Sequence, residues 1–254
     1  MSAPGEIAAA MKFCLIVTLL GATAVVLANE SKKEKLSSPG EFTIPYLAYL
    51  QSSPEPCVGS LISPEWILTA AHCPLPVKIR LGVFQPTIKN NKEQIRNYSL
   101  IVPHPEFNTH TLENDLMMIK LSEAVALNPY VGTIAIALEP LVLNDSCFIP
   151  TWRWNEYKNL SDPDILTWTS QYSLPSHECQ GILSQRTTAN IMCVGQPLST
   201  LYAIKEVSAA PAVCAGRLHG ILSWAKGSVT LGSEGFFTEV HPYARWILKI
   251  IKSH

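Results

Sequence analysis

The stretch EWILTAAHC, Glu65–Cys73, decides how the rest of the chain is interpreted. It begins as a short apolar run and ends in a histidine and a cysteine. Short runs of this kind, bounded by turn-forming residues, are typical of buried β-strands. Nine further runs of this type occur along the chain: IPYLAYL, GSLI, IRLGVF, YSLIVP, DLMMIKL, ANIMCVG, APAVCAG, HGILSWA and GFFTEV. Ten strands at this spacing predict an all-β barrel or sandwich, and helical spacing of apolar residues follows only at the end, from Tyr243 onward.

The composition excludes several classes of protein. With 254 residues, of which 47% are hydrophobic and 15% charged, the chain is too apolar for disorder and can form one large or two small cores. The net charge is −1 and the isoelectric point is about 6.6, so we expect no nucleic-acid partner. The sequence has no glycine-rich phosphate loop, metal-ligand cluster or cofactor fingerprint, and we expect neither a cofactor nor a metal.

The segment that starts at Met11, MKFCLIVTLLGATAVVLANES, has one lysine, an apolar run and then small residues. This pattern predicts a signal peptide over residues 1–28, cleaved after Ala24 or Ala28, with Met11 as an alternative start. A membrane anchor is the competing interpretation, but the 16 uncharged residues Phe13–Ala28 are fewer than the about 20 of a spanning helix. We therefore expect a secreted, extracellular protein that is free of the membrane once the signal is removed.

The cysteines agree with secretion. Seven are present, and one of them, Cys14, lies in the predicted signal peptide. An even number in a secreted chain predicts three disulfides among the remaining six: Cys57, Cys73, Cys147, Cys179, Cys193 and Cys214. Zinc is the competing use, but the sequence has no CxxC pair. Four N-x-S sequons fit glycosylation on the secretory route: Asn29, Asn97, Asn144 and Asn159.

Three segments together carry a resemblance to a known family. WILTAAHC, Trp66–Cys73, is followed by ENDLMMIKL, Glu113–Leu121, and by SAAPAVCAGRLHGILSW, Ser208–Trp224. In content, order and separation they resemble the trypsin-like serine proteases, over about residues 42–252. The resemblance implies an all-β fold of two six-stranded antiparallel β-barrels with a C-terminal helix and a cleft between the barrels.

The same resemblance divides the chain. The expected parts are a short N-terminal segment at 29–41 without a recognisable activation site, barrels at about 42–143 and 164–240, and a helix at about 241–252. The region between the barrels, Asn144–Pro163, has few regular apolar runs and is expected to join the two halves.

The resemblance places a catalytic triad. His72 in TAAHC would be the general base, Asp115 in NDLMMIKL the carboxylate that orients it, and Ser208 the nucleophile. A serine hydroxyl is a weak nucleophile until an imidazole takes its proton, and a buried carboxylate holds that imidazole in the required tautomer. All three residue types are present in the required order.

The resemblance also pairs the cysteines. The implied disulfides are Cys57 with Cys73, Cys147 with Cys214, and Cys179 with Cys193. A fourth disulfide of the family is absent because Ile204 and Ser228 occupy its positions.

The loop around Ser208 departs from active members of the family. They have glycine, aspartate, serine and two glycines where this chain has Glu206, Val207, Ser208, Ala209 and Ala210. The oxyanion-hole positions are Glu206 and Ser208, and Glu206 brings bulk and negative charge to the place where an oxyanion develops. This glycine-poor loop resembles the trypsin-X type of inactive homologue.

Val207 is a second departure. The family's aspartate at that position pairs with a new N-terminal ammonium after activation cleavage, and valine cannot accept an ammonium. Upstream, the sequence KKEKLSSPGEF, residues 32–42, has no basic residue followed by an Ile-Val-Gly-Gly-like start. Cleavage after Lys35 would release an amine on Leu36 that has no matching carboxylate at residue 207.

The specificity pocket departs as well. Its implied positions are Tyr202, Ser223, Trp224, Ala225 and Gly235. Because Tyr202 stands at the floor position that sets a preference for lysine and arginine, a tryptic preference is not expected.

Two functions follow from these features. The first is a secreted protease homologue with little or no catalysis, which acts by binding a protein or peptide. The alternative is an active serine endopeptidase of non-tryptic specificity that uses His72, Asp115 and Ser208. The aromatic residues Trp152 and Trp154 would form an exposed partner patch or be covered by the surface between the barrels.

Overall fold

The computed structural model describes residues 43–143, 145–155, 162–173, 190–194, 206–225 and 235–254, with the backbone alone at 224 and 225. A first antiparallel sheet has the strands β1 Leu47–Gln51, β2 Cys57–Ser63, β3 Trp66–Thr69, β4 Lys78–Leu81, β5 Gln94–Arg96, β6 Tyr98–Pro103 and β7 Met117–Leu121. Their order is β5-β4-β1-β2-β3-β7-β6. The sheet has seven strands where six were expected, because Asn97 alone separates β5 from β6.

A second antiparallel sheet follows. Its strands are β8 Ser146–Arg153, β9 Ile165–Tyr172, β10 Ile191–Val194, β11 Pro211–Cys214, β12 Arg217–Ala225 and β13 Gly235–Glu239, in the order β10-β13-β12-β11-β8-β9. An antiparallel bridge between Ser173 and Val194 joins the two ends of this order. The predicted double-barrel fold is confirmed. A short helical turn, His241–Tyr243, leads into the helix α1, Ala244–Ser253.

The strand β8 lies in the region that the sequence assigned to the connection between the halves. In the structure this strand pairs with β9 along its whole length, so the second sheet begins at Ser146 and not near residue 164. Proline usually interrupts a strand because it lacks an N–H. Cys147 and Phe148 are the two residues of β8 that pair with β11, and Pro150 lies beyond them. A proline is tolerated where a neighbouring ladder ends.

Both barrels contribute to an apolar cluster around Trp152. Tyr49 in β1 meets the Trp152 ring edge-on with centroids 5.5 Å apart, and Leu166 of β9 packs in the same cluster. Trp152 is fully buried and its Nε1–H donates to Phe84 O at 3.0 Å. The interpretation of Trp152 as part of an exposed patch is therefore wrong, and Trp154, which is partly buried, packs against the same cluster.

Two of the three implied disulfides are present among the described residues. Cys57–Cys73 ties β2 to the loop that follows β3, and Cys147–Cys214 ties β8 to β11. Cys179 lies outside the described residues, so its pairing with Cys193 stays a prediction.

Of the four sequons, only the one at Asn97 lies in the described part of the chain. Asn97 is exposed between β5 and β6. The sequons at Asn29, Asn144 and Asn159 lie outside it. No helix in the described ranges is long and apolar enough to cross a membrane.

A buried histidine makes the stability depend on pH. His219 in β12 is 7% exposed and its Nδ1 has no hydrogen-bond partner among the described residues. Burial lowers the pKa of His219, and His241 and Arg217 lower it further, while Asp145 opposes them. The folded state therefore binds a proton at His219 less readily than the unfolded state does. Because of this, the free energy of unfolding is at its full value above about pH 6.5, the ordinary pKa of histidine, and falls as the pH decreases below it.

We therefore expect His219→Gln to lose less stability than the wild type between pH 7.5 and pH 5.5. Urea denaturation of both proteins at the two pH values measures the difference. Equal losses would show that His219 does not contribute to the pH dependence.

Candidate active site

The histidine of TAAHC is placed by the end of β3 and by the disulfide at Cys73. Asp115 holds this residue at two points, because His72 N donates to Asp115 Oδ1 at 2.8 Å and His72 Nδ1 lies 2.7 Å from Asp115 Oδ2. The carboxylate thus fixes both the main chain and the ring of His72. A carboxylate at Nδ1 selects the tautomer with the proton on that nitrogen, which leaves Nε2 free to accept a proton.

Asp115 is fully buried at the entrance to β7. Ser223 Oγ, from β12 of the other sheet, donates to Asp115 Oδ2 at 2.5 Å. A buried carboxylate needs such donors, since an unpaired charge in the interior is costly. The sequence assigned Ser223 to the specificity pocket, and its bond to Asp115 was missed because no local spacing links residues so far apart.

Ser208 completes the arrangement. Its Oγ lies 2.8 Å from His72 Nε2. Its carbonyl accepts from Val58 N at 2.8 Å, which ties the serine loop to β2. The structure therefore brings together the three residues that the sequence selected, at distances that suit proton transfer from the hydroxyl to the imidazole.

The peptide before Ser208 is held against β8. Val207 N donates to Trp152 O at 2.8 Å, and Val207 O accepts from Thr151 Oγ1 at 2.8 Å. In a planar trans peptide the N–H points opposite to the C=O, so the Ser208 N–H points away from Thr151. The other oxyanion-hole N–H belongs to Glu206, and its peptide begins at Lys205, outside the described residues.

The loop keeps a glycine-like turn without a glycine. Ala209 has φ +64°, in the left-handed region, and is fully buried. That conformation costs an alanine about 1–2 kcal/mol of free energy, which the contacts of the surrounding structure must offset. Although alanine stands here in place of the glycine of active members, the backbone therefore keeps the left-handed conformation.

Val207 occupies an apolar environment. The side chain is 1% exposed and belongs to the cluster that contains Tyr49, Val58 and Trp152. The side chain at residue 207 therefore offers no carboxylate to an N-terminal ammonium.

The five pocket positions differ in what the structure describes. Ser223 is buried, and Gly235 opens β13, where an added Cβ would lie 2.8 Å from Phe237 Cε2. Packing therefore requires the glycine there. Tyr202 lies outside the described residues, and only the backbone is described at Trp224 and Ala225.

One group of described residues has metal-ligating atoms close together, Cys57, His72 and Cys73. The two sulfurs are joined in a disulfide, so they are not thiolate ligands. Within the described ranges this group gives no support for a metal.

Comparisons with known proteins agree with this geometry. The trypsin family profile matches residues 34–247. Human "Serine protease 58" is 36% identical over 247 residues, which cover 96% of this chain and all of the relative. Bovine "Probable inactive serine protease 58" is 37% identical, with 84% of this chain and 90% of the relative covered. Chicken "Trypsin I-P1" is 32% identical, with 96% of this chain and all of the relative covered.

Proposed function

Because this chain belongs to the trypsin family of serine proteases, we propose that it is a secreted member that binds a protein or peptide and hydrolyses peptide bonds poorly or not at all. The support is a triad of normal geometry next to a loop that departs from active members on both sides of the serine. The names of the bovine and mouse relatives, "Probable inactive" and "Putative inactive serine protease 58", point in the same direction.

The observation that carries the proposal is the apolar burial of Val207. In this family, as the resemblance implies, a buried ion pair at that position orders the oxyanion hole after cleavage. Here Val207 is 1% exposed among apolar side chains, so residue 207 offers no acceptor to an N-terminal ammonium. Cleavage of the N-terminal segment therefore cannot order the oxyanion hole through an ion pair at residue 207.

Glu206 is the second departure that supports the proposal. An oxyanion-hole donor that does not face the substrate costs on the order of 3 kcal/mol, or about a hundred- to a thousandfold in rate. A glutamate carboxylate placed beside a developing oxyanion would add to this cost, since like charges repel.

A second candidate function is supported by the triad itself. The contacts of His72 with Asp115, at 2.7 Å, and with Ser208, at 2.8 Å, are those of a serine ready for deprotonation. They favour an active serine endopeptidase of non-tryptic specificity, provided that the N–H groups of Glu206 and Ser208 both face the substrate carbonyl.

Secretion is part of the proposal. It rests on the signal-peptide pattern of residues 1–28 and on the two disulfides of the described chain, which are typical of oxidising compartments. Glycosylation at the exposed Asn97 fits the same route.

The deciding experiment is labelling of the purified protein with a fluorophosphonate probe. The reaction requires an activated serine and a usable oxyanion hole, but makes little demand on the specificity pocket. We expect labelling at least about a hundredfold slower than that of an active trypsin, with or without prior trypsin treatment.

Two variants give the controls. Ser208→Ala defines the background, and Ser122→Ala, which removes an exposed serine just after β7 and outside every sequon, should behave as the wild type. Rapid labelling that disappears in Ser208→Ala would overturn the proposal and establish the second candidate.

A further inference from the structure

The residue before Asp115 has an unusual backbone conformation. Asn114 has φ +55°, in the left-handed region, and its carbonyl accepts from Leu116 N at 2.8 Å. Asparagine tolerates this region better than most residues, because its short side chain can form local hydrogen bonds. This tight turn sets the direction in which the chain enters β7, and with it the direction of the Asp115 side chain.

Both ends of the Asn114 amide are held. Its Oδ1 accepts from Tyr243 Oη at 2.7 Å, and its Nδ2 donates to Glu106 O at 3.0 Å. An amide fixed at its oxygen and its nitrogen cannot rotate freely, so it also restrains the backbone to which it is attached. Glu106 belongs to the same loop as Asn114, whereas Tyr243 lies more than a hundred residues further along the chain.

Tyr243 is itself held tightly in the helical turn before α1. It is 5% exposed, its hydroxyl accepts from Asn190 Nδ2 at 3.3 Å, and the His104 ring packs edge-on with centroids 5.1 Å apart. Burial raises the pKa of Tyr243, so the phenol keeps its proton at neutral pH and remains a donor to Asn114.

We propose that Tyr243 is a positioning residue for Asp115. Its hydroxyl holds the Asn114 amide, and through the turn at Asn114 it holds the carboxylate where it accepts from His72. The contact joins the helical turn that follows the second sheet to a loop of the first sheet. This inference goes beyond the proposed function. The contacts that position Asp115 are the same whether the protein only binds a partner or also hydrolyses peptide bonds.

The test is proton NMR of the purified secreted protein, following the His72 Nδ1 proton. A proton shared between imidazole and carboxylate in a short, charge-assisted bond is strongly deshielded and protected from exchange with water. The resonance is assigned by its absence in His72→Gln. We expect Tyr243→Phe to move it upfield and to speed its exchange with water about fivefold, the change that matches the loss of one typical hydrogen bond.

A matched control separates positioning from general destabilisation. Tyr49→Phe also removes the hydrogen bond of a buried phenol, which Tyr49 Oη in β1 donates to Asp162 Oδ1, ahead of β9, at 2.8 Å. It should leave the His72 resonance where it is in the wild type. A Tyr243→Phe protein with wild-type resonance and exchange, or an equal change in Tyr49→Phe, would overturn the inference.

Should Tyr243→Phe fail to fold, Asn114→Gly provides the second measurement. Glycine keeps the left-handed turn but lacks the Oδ1 acceptor. An unchanged His72 resonance in Asn114→Gly would contradict the proposed role. A wild-type protein without the deshielded proton would overturn it as well, whereas fluorophosphonate labelling of Ser208 reports on the proposed function alone.

Discussion

Replacing Val207 by aspartate is expected to lower the free energy of unfolding by about 3–5 kcal/mol, and to leave fluorophosphonate labelling as slow as before. The change restores the residue that active members of the family have. It places a carboxylate among the apolar side chains of Tyr49, Val58 and Trp152. The aspartate will either stay ionised at a high cost or keep its proton, and neither state orders an oxyanion hole.

Urea denaturation of Val207→Asp and of Val207→Ile measures the effect. Isoleucine adds one methylene without charge, so this control tests packing and is expected to cost less than about 1.5 kcal/mol. A Val207→Asp protein with wild-type stability would show that residue 207 reaches water or a cation. Rapid peptide hydrolysis by Val207→Asp would contradict the proposal that the missing N-terminal partner and Glu206 also impair catalysis.

A second large effect is expected at Glu93. Its side chain is 3% exposed and pairs with Arg80, whose Nε and Nη2 lie 2.9 and 3.0 Å from the two carboxylate oxygens. Glu93→Gln removes the negative charge but keeps the shape, which leaves the Arg80 cation buried without its counter-charge. We expect the free energy of unfolding to fall by about 3 kcal/mol. Chemical denaturation at neutral pH is the measurement.

The double variant Arg80→Met with Glu93→Gln is the matched test. Neither charge of this pair remains in it, so it should be more stable than Glu93→Gln alone if the unpaired cation causes the loss. A double variant that loses the sum of the two single effects would contradict this explanation. The guanidinium also lies 5.6 Å from the Tyr49 ring centroid, so part of the Arg80→Met effect will come from packing against that ring.

The two sites are connected through one aromatic side chain. Tyr49 contacts Arg80 on one side and packs in the cluster with Trp152 and Val207 on the other. The segment that carries Ser208 is thus stabilised by apolar packing and by main-chain bonds to β8. In the described part of the chain, these contacts of the folded core place the serine.

The sequence predicted much of the site because its signals are local. Apolar runs of strand length mark the strands, and the short motifs around His72, Asp115 and Ser208 carry the family resemblance that implies the triad. The same signals missed β8, since Pro150 and two tryptophans in PTWRWNEY resemble a connection more than a strand. Its pairing with β9 and the burial of Trp152 are supplied by segments distant in the chain.

By itself, the sequence determined the all-β class and the absence of glycine and aspartate beside Ser208, and its family resemblance implied the double barrel and the three triad residues. Only the tertiary structure decided that Ser223 and the main chain of His72 both bind Asp115, that Val207 is sealed among apolar side chains, and that Ala209 keeps a left-handed turn. The physical reason is that residue types and short periodicities are written along the chain. Burial and hydrogen-bond partners, in contrast, arise where segments far apart in sequence meet.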